Sequence, residues 1–259
     1  MNGPDKRWLR RYHPDSANDV TLVCLPHAGG SASFFYPVSA ALAGSVDVVA
    51  VQYPGRQDRH DEPQVGSIAE LASAVAEQVT ALGPRPIALF GHSMGALVGY
   101  EVARLLERTV NPPVHLFASG RRAPSTSRPA APMIHRLDDD GLVAHVQRLD
   151  GDAGVTAALE DPDVRAMALP ALRADYRAVE TYSATAGRPL FCPITVLTGR
   201  DDPVVSAAEA DAWRMHTVGT FECLTFPGRH FFVATYRDAI LSAIEDRLCL
   251  VPTGSAGAP

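Results

Sequence analysis

Gly91-His92-Ser93-Met94-Gly95 follows the apolar run Ile87-Ala88-Leu89-Phe90 and leads into an amphipathic stretch that opens at Met94. Between a strand and a helix, G-x-S-x-G forms a turn so sharp that the residues two before and two after the serine come together. Glycine at 91 and 95 permits that approach. The turn is expected to lift the Ser93 hydroxyl above the end of a sheet and to face its backbone N–H into the same space, at a helix N-terminus. In a chain with 20 glycines among 259 residues the bare pattern is weak. Its context, and the partners found further along the chain, give it weight.

The length suits one α/β domain with a large buried core. A net charge of −6 argues against a nucleic-acid binder, which needs a basic face. No apolar run approaches the ~20 residues that cross a bilayer, and the start, Met1 to Tyr12, has charges but no apolar core of a signal peptide. A cytoplasmic protein without membrane contact is expected. Cys24, Cys192, Cys223 and Cys249 are far apart and the first three lie in or beside strand-like runs, which reads as reduced core cysteines. H-E-x-x-H and C-x-x-C spacings do not occur, so no metal is expected.

Short β-rich runs alternate with longer helical patterns, which implies βα units and a mostly parallel sheet flanked by helices. The strand candidates are 21–25, 46–52, 86–90, 114–118, 194–197 and 221–226. Ile68, Leu71, Ala72, Val75, Val79 and Leu82 share one helical face, with Ser67 and Glu70 as a capping box and Gly83-Pro84 as the stop. Ser206 and Glu209 repeat the capping signature. After Ser93 the spacing buries Leu97, Val98, Val102, Leu105 and Leu106. From 124 to 187 the alternation breaks: helical patterns appear without a convincing strand. Leu137, Leu142, Val143, Val146 and Leu149 mark one helix, begun by Asp138-Asp139-Asp140. Leu169, Leu172, Tyr176, Val179 and Tyr182 mark another, with Pro170 near its start. An insertion of this length just past a strand's carboxyl end reads as a lid over a site, the alternative being a helical subdomain that serves stability alone. The tail 251–259 is small, Pro/Gly-rich and expected to lack fixed structure.

A serine needs a base to take its proton and an acceptor to orient that base. In α/β-hydrolases the chain order is Ser, then Asp or Glu, then His. His13, His60, His135, His145 and His216 lie in polar or helical settings and read as surface residues. His115 reads as packed in a strand, and His92 as turned away from Ser93. His230, in Phe226-Pro227-Gly228-Arg229-His230-Phe231-Phe232 after the last strand, is the expected base. The loop Ser119-Gly120-Arg121-Arg122-Ala123-Pro124 holds no carboxylate, so the acid comes from Thr198-Gly199-Arg200-Asp201-Asp202-Pro203. Asp202, stiffened by Pro203, is favoured over Asp201. Oxyanion donors are expected from the backbone N–H groups of Met94 and, in Pro26-His27-Ala28-Gly29-Gly30-Ser31, of Ala28.

These motifs resemble those of type II thioesterases, the discrete editing hydrolases of polyketide synthases and non-ribosomal peptide synthetases. Trp8-Leu9-Arg10-Arg11-Tyr12, Leu25-Pro26-His27-Ala28-Gly29-Gly30-Ser31-Ala32, Pro54-Gly55-Arg56-Gln57-Asp58-Arg59, Phe90-Gly91-His92-Ser93-Met94-Gly95-Ala96, Ser119 to Pro124 and Leu169-Pro170-Ala171-Leu172-Arg173-Ala174-Asp175-Tyr176 all carry the likeness, the last within the family's lid. The resemblance implies a single α/β-hydrolase domain over 1–259 that acts as a monomer, with Ser93, Asp202 and His230 as triad and no cofactor. It also implies hydrolysis of short, stalled acyl groups from the phosphopantetheine arm of acyl or peptidyl carrier proteins. In the related product-releasing domains of polyketide synthases the acid usually follows the earlier strand, where this chain has arginines. A carboxylesterase or lipase acting on free esters is a second enzyme reading, and a catalytically silent receptor a non-enzymatic one. Arg229 departs from the family, which generally has glycine before the histidine. An acidic carrier would suit a docking rim of Arg121, Arg122, Arg128, Arg56 or Arg59, unless these are solvated or paired within the protein.

Overall fold

The apolar runs assemble into one sheet of seven strands: β1 (Leu9–Arg10), β2 (Thr21–Leu25), β3 (Asp47–Val51), β4 (Ile87–His92), β5 (His115–Ser119), β6 (Ile194–Gly199) and β7 (Phe221–Phe226), in the spatial order β1-β3-β2-β4-β5-β6-β7. The structure, a computed structural model, describes residues 3–14, 19–126, 133–151 and 154–248. All neighbours pair in parallel except β1, which runs antiparallel on β3 with Leu9 opposite Val51. This two-residue edge strand has no counterpart among the strand candidates of the sequence, being too short to show a period.

Alternate side chains leave a strand on opposite faces. Val23, Leu25, Val49, Val51, Leu89 and Leu116 pack under α2 (Ile68–Thr80) and α3 (Met94–Leu106). Leu22, Cys24, Val48, Ala50, Ala88, Phe90 and Phe117 form the other face, covered by Ile240, Leu241 and Ile244 of the last helix, α8 (Arg237–Leu248). The remaining α-helices among the described residues are α1 (Tyr36–Ala41), α4 (Asp139–Asp150), α5 (Pro162–Thr181), α6 (Ala207–Asp211) and α7 (Phe232–Thr235). Ser67 caps α2 by accepting from Glu70 N–H, and Ser206 and Glu209 complete a reciprocal box on α6.

The insertion holds α4 and α5, and among its described residues there is no strand. Asp138 caps α4 through Gly141 N–H, 2.8 Å, so Leu137 precedes the helix rather than belonging to it. Asp161 caps α5 ahead of Pro162. Pro170 therefore sits inside a 20-residue helix, not near its start: Asp161-Pro162 supplies the usual cap-then-proline entry eight residues earlier. Leu142, Val143, Val146, Leu169 and Leu172 make a small core of their own, against which Ala28 packs. Two other expectations need correction. Leu105 is on the solvent side of α3, where Tyr100 and Ala103 are buried instead. His216 is buried, with Nδ1 3.0 Å from the Tyr100 hydroxyl and Nε2 2.9 Å from Ser125 Oγ. Arg128, Cys249 and the tail 251–259 lie outside the described residues.

Register decides where chemistry can gather. Leu25 stands opposite Gly91, His92 opposite Ser119, and Gly199 opposite Phe226. The segments after β2, β4, β5, β6 and β7 thus leave the sheet at one edge, its carboxyl end, where ligands bind in parallel sheets.

Candidate active site

Ser93 links β4 to α3 at φ 55°, ψ −111°, a left-handed backbone that a side-chain-bearing residue adopts only under constraint from its surroundings. The constraint is steric. A Cβ on Gly91 would stand 2.1 Å from Gly95 O, and one on Gly95 2.0 Å from Leu25 O. The backbone N–H of Ser93 does not open toward the site as the sequence suggested. It donates to Ser119 O at 2.7 Å and ties the elbow to the end of β5.

Three side chains from three loops meet here. His230 Nε2 is 3.0 Å from Ser93 Oγ, and His230 Nδ1 is 2.8 Å from Asp202 Oδ2. A carboxylate only accepts, so the proton shared with Asp202 belongs to Nδ1, which leaves Nε2 of the neutral ring free to accept from the hydroxyl. The Asp202 side chain is fully buried, and its other oxygen accepts Val204 N–H at 2.9 Å. Both oxygens therefore have donors. Asp201, the alternative acid, is exposed, and its N–H donates to Gly228 O.

Beyond β2 the chain turns at His27–Gly30, closed by Gly30 N–H to His27 O at 2.9 Å. Gly29 N–H donates to Asp175 Oδ2 at 2.8 Å. Among the described residues the N–H groups of Ala28 and Met94 have no protein acceptor. His27 packs between Phe34 and Phe231, 4.8 and 4.9 Å between ring centroids. Burial, helped by His230 and Arg56 nearby, pushes its imidazole down to about 3. Burial likewise drives His92 well below its ordinary range, and His92 Nδ1 turns to Ser119 Oγ at 3.0 Å.

A cavity of about 430 Å³ opens beside this loop. Its walls are His27 to Ser31, Phe34 and Phe231 on one side, and Val146, Val164, Met167 and Leu172 of the insertion on the other. Of the arginines expected at a docking rim, Arg56 and Arg59 are buried. Arg56 is paired with Asp175, its Nη1 donating to Pro54 O at 2.6 Å. Arg59 holds Glu62 and lies over the Trp8 ring, 4.5 Å from its centroid. Arg121 and Arg122 are half-buried and make contacts within the protein. Arg229 reaches across to the insertion, donating from Nη2 to Arg148 O at 2.8 Å. The buried Asp175–Arg56 pair, which holds Gly29, is the part of the site that sequence reasoning missed. Its signal was an acidic residue three positions after Leu172, on the buried stripe of α5. Among the described residues no cluster of three or more His, Cys, Asp or Glu could hold a metal ion, and no helix is long and apolar enough to cross a membrane.

Known proteins share both sequence and architecture. A probable cadicidin biosynthesis thioesterase from Streptomyces griseus is 51% identical over 93% of this chain, which spans 66% of that protein's length. Thioesterase PikA5 from Streptomyces venezuelae is 43% identical over 100% of this chain and 91% of its own. The solved structure of BorB, a type II thioesterase from the borrelidin biosynthetic cluster, superimposes with a TM-score of 0.89 at 48% identity, covering 95% of this chain and 100% of that one. The thioesterase domain model matches residues 20–248, from the first parallel strand to the end of α8, and with an α/β-hydrolase fold throughout, the chain belongs to the thioesterase domain family.

Proposed function

We propose that this protein hydrolyses acyl thioesters borne on the phosphopantetheine arm of acyl or peptidyl carrier proteins in polyketide or non-ribosomal peptide synthesis, clearing stalled short acyl groups. The observation that carries the chemistry is the Ser93–His230–Asp202 chain of hydrogen bonds beside two unengaged backbone N–H groups. Ser93 Oγ attacks the thioester carbonyl carbon while His230 Nε2 takes the hydroxyl proton and Asp202 steadies the imidazolium. Ala28 and Met94 N–H groups receive the developing oxyanion. The C–S bond breaks, and the departing thiol takes the proton from His230. Water then attacks the acyl-serine with His230 as base, releasing the carboxylic acid and restoring Ser93. No cofactor enters; the pantetheine is part of the substrate.

The carrier-linked substrate is supported by the names of the relatives, among them a cadicidin biosynthesis thioesterase and the type II thioesterase of the borrelidin biosynthetic cluster. The helices α4 and α5 act as the lid, enclosing the acyl group in the apolar cavity they share with the turn at Ala28. Arg56 at its wall is already matched by Asp175, so an acyl chain ending in a carboxylate gains no free cation there and loses its hydration. Acetyl, propionyl and butyryl groups are therefore favoured over malonyl. The test is kcat/KM across acyl-carrier, acyl-pantetheine and oxygen-ester series. Carrier-bound short acyl groups should lead, because contacts remote from the carbonyl add binding energy. Preference for malonyl units, or for free oxygen esters over every carrier thioester, overturns the assignment in favour of an extender-unit hydrolase or a general esterase.

A further inference from the structure

We propose that Asp175, on the insertion helix α5, is a positioning residue that holds the oxyanion-binding turn in its working shape through Gly29. The proposal rests on the acyl-enzyme route above and goes beyond it by making the helix part of the catalytic apparatus. The turn at 27–30 is closed by one internal hydrogen bond, Gly30 N–H to His27 O, and Gly29 has the positive φ, 74°, that a type II turn requires at its third place. In such a turn the N–H groups of the two central residues, Ala28 and Gly29, point outward with no partner inside it. The central peptide of a tight turn can rotate by half a revolution, which exchanges turn types and swaps N–H for C=O on the outer face. Asp175 opposes that rotation. Its Oδ2 accepts Gly29 N–H at 2.8 Å, and a carboxylate facing the flipped carbonyl would meet oxygen instead.

A second contact from the same helix face acts on the same residue. Leu172, three residues before Asp175, lies so close to Gly29 that a Cβ there would stand 2.7 Å from its Cδ1. The helix therefore clamps Gly29 by packing and by charge, and leaves the adjacent Ala28 N–H to the substrate. Asp175 is fully buried, faces the equally buried Arg56, and keeps one oxygen without a partner. Burial raises the carboxyl against the pull of Arg56 and Gly29 N–H. Buried ion pairs are seldom retained for stability, since apolar pairs of similar volume often do as well. A pair kept here at the edge of the catalytic turn serves geometry.

The experiment compares wild type with Asp175→Leu, which leaves Gly29 N–H no acceptor, and with the paired variant Asp175→Leu/Arg56→Met, which removes both charges and folds if the pair is dispensable for stability. Measured are kcat and KM on butyryl-pantetheine, the Ki of butylboronic acid, whose tetrahedral serine adduct uses the oxyanion donors, and the thermal midpoint. The expected result, in whichever variant keeps a wild-type melting transition, is a 10- to 100-fold fall in kcat with KM within about threefold. The boronate Ki should rise by the same factor, and the pH profile of kcat/KM should keep its midpoint because His230 is untouched. A folded variant with wild-type kcat and boronate affinity overturns the proposal, as does a kcat loss with unchanged boronate affinity. Failure of the wild type itself to label at Ser93 with a fluorophosphonate would instead strike the acyl-enzyme route.

Discussion

Replacing Asp202 by asparagine removes a charge at nearly constant shape, and the structure dictates which way the new amide must face. Val204 N–H lies 2.9 Å from Oδ1 and needs an acceptor, so the amide oxygen goes there and the NH2 is left against His230 Nδ1, 2.8 Å from the other position. Nδ1 must then accept, the ring proton moves to Nε2, and the histidine presents a donor to Ser93 instead of a base. Flipping the amide restores the tautomer but sets two donors against each other at Val204, which costs about 1–3 kcal/mol in a buried site. Losing the carboxylate opposite the imidazolium adds ~1–2 kcal/mol, the difference between a charged and a neutral hydrogen bond. The sum, roughly 2–5 kcal/mol, centres on a fall of about 400-fold in kcat/KM. Release of free thiol from butyryl-pantetheine measures it, with Asp201→Asn as control; that side chain points to solvent, and its loss should change the rate less than twofold. An Asp202→Asn protein with unchanged melting that keeps a tenth of wild-type activity refutes the reasoning, and reversed results move the acid to Asp201.

Ser93→Ala should abolish turnover and fluorophosphonate labelling while the protein stays folded, whereas Gly91→Ala should yield little folded protein in a melting assay, because its Cβ meets the fixed backbone of Gly95 at 2.1 Å. His27 is held down to about 3 in the folded protein against an ordinary value of about 6.5, so the unfolded chain binds the extra proton on acidification. Its contribution to stability is complete above pH ~6.5 and falls by ~1.4 kcal/mol per unit toward 3; urea midpoints at pH 7 and 5 should lie closer together in His27→Gln than in wild type. Arg229→Gly removes the bond to Arg148 O, worth about 1 kcal/mol at an exposed site, so amide exchange near the end of α4 should quicken roughly fivefold. Pro170→Ala should slow exchange over 162–169 toward the rate of 171–181; equal rates in both halves of the wild-type helix would contradict a break at the proline.

Much of this molecule is legible in the chain because its signals are local. Each parallel strand announces itself as a continuous apolar run, and the elbow fits in five residues whose glycines have a steric reason visible in the pattern. Position along the chain brings Ser93, Asp202 and His230 to the loops after β4, β6 and β7, and the sheet register does the rest. What stayed hidden is set by distant neighbours. The Ser93 N–H looked available until β5 brought Ser119 O to it, and Arg56 looked like a surface cation until α5, 119 residues later, supplied Asp175. His216 reads as polar surface because the sequence does not show Tyr100 and Ser125 closing over it. Pro170 misled through its usual meaning, since a proline more often opens a helix than interrupts one.

That interruption divides the labour of α5. Proline has no N–H to offer the carbonyl of Ala166, so the two halves of the helix are joined by one hydrogen bond fewer than a continuous rod. The second half carries Leu172 and Asp175 and seats Ala178 in the main core; the first carries Val164, Met167 and Ala168 over the cavity. A roof joined by one hydrogen bond fewer is thus grafted onto a beam seated in the core. Acyl groups of different bulk then change how tightly the enzyme holds its substrate, read in KM, far more than how fast it cuts, read in kcat. Such a division suits the proposed clearing of stalled acyl groups, in which pieces of unlike size must be treated with the same blade.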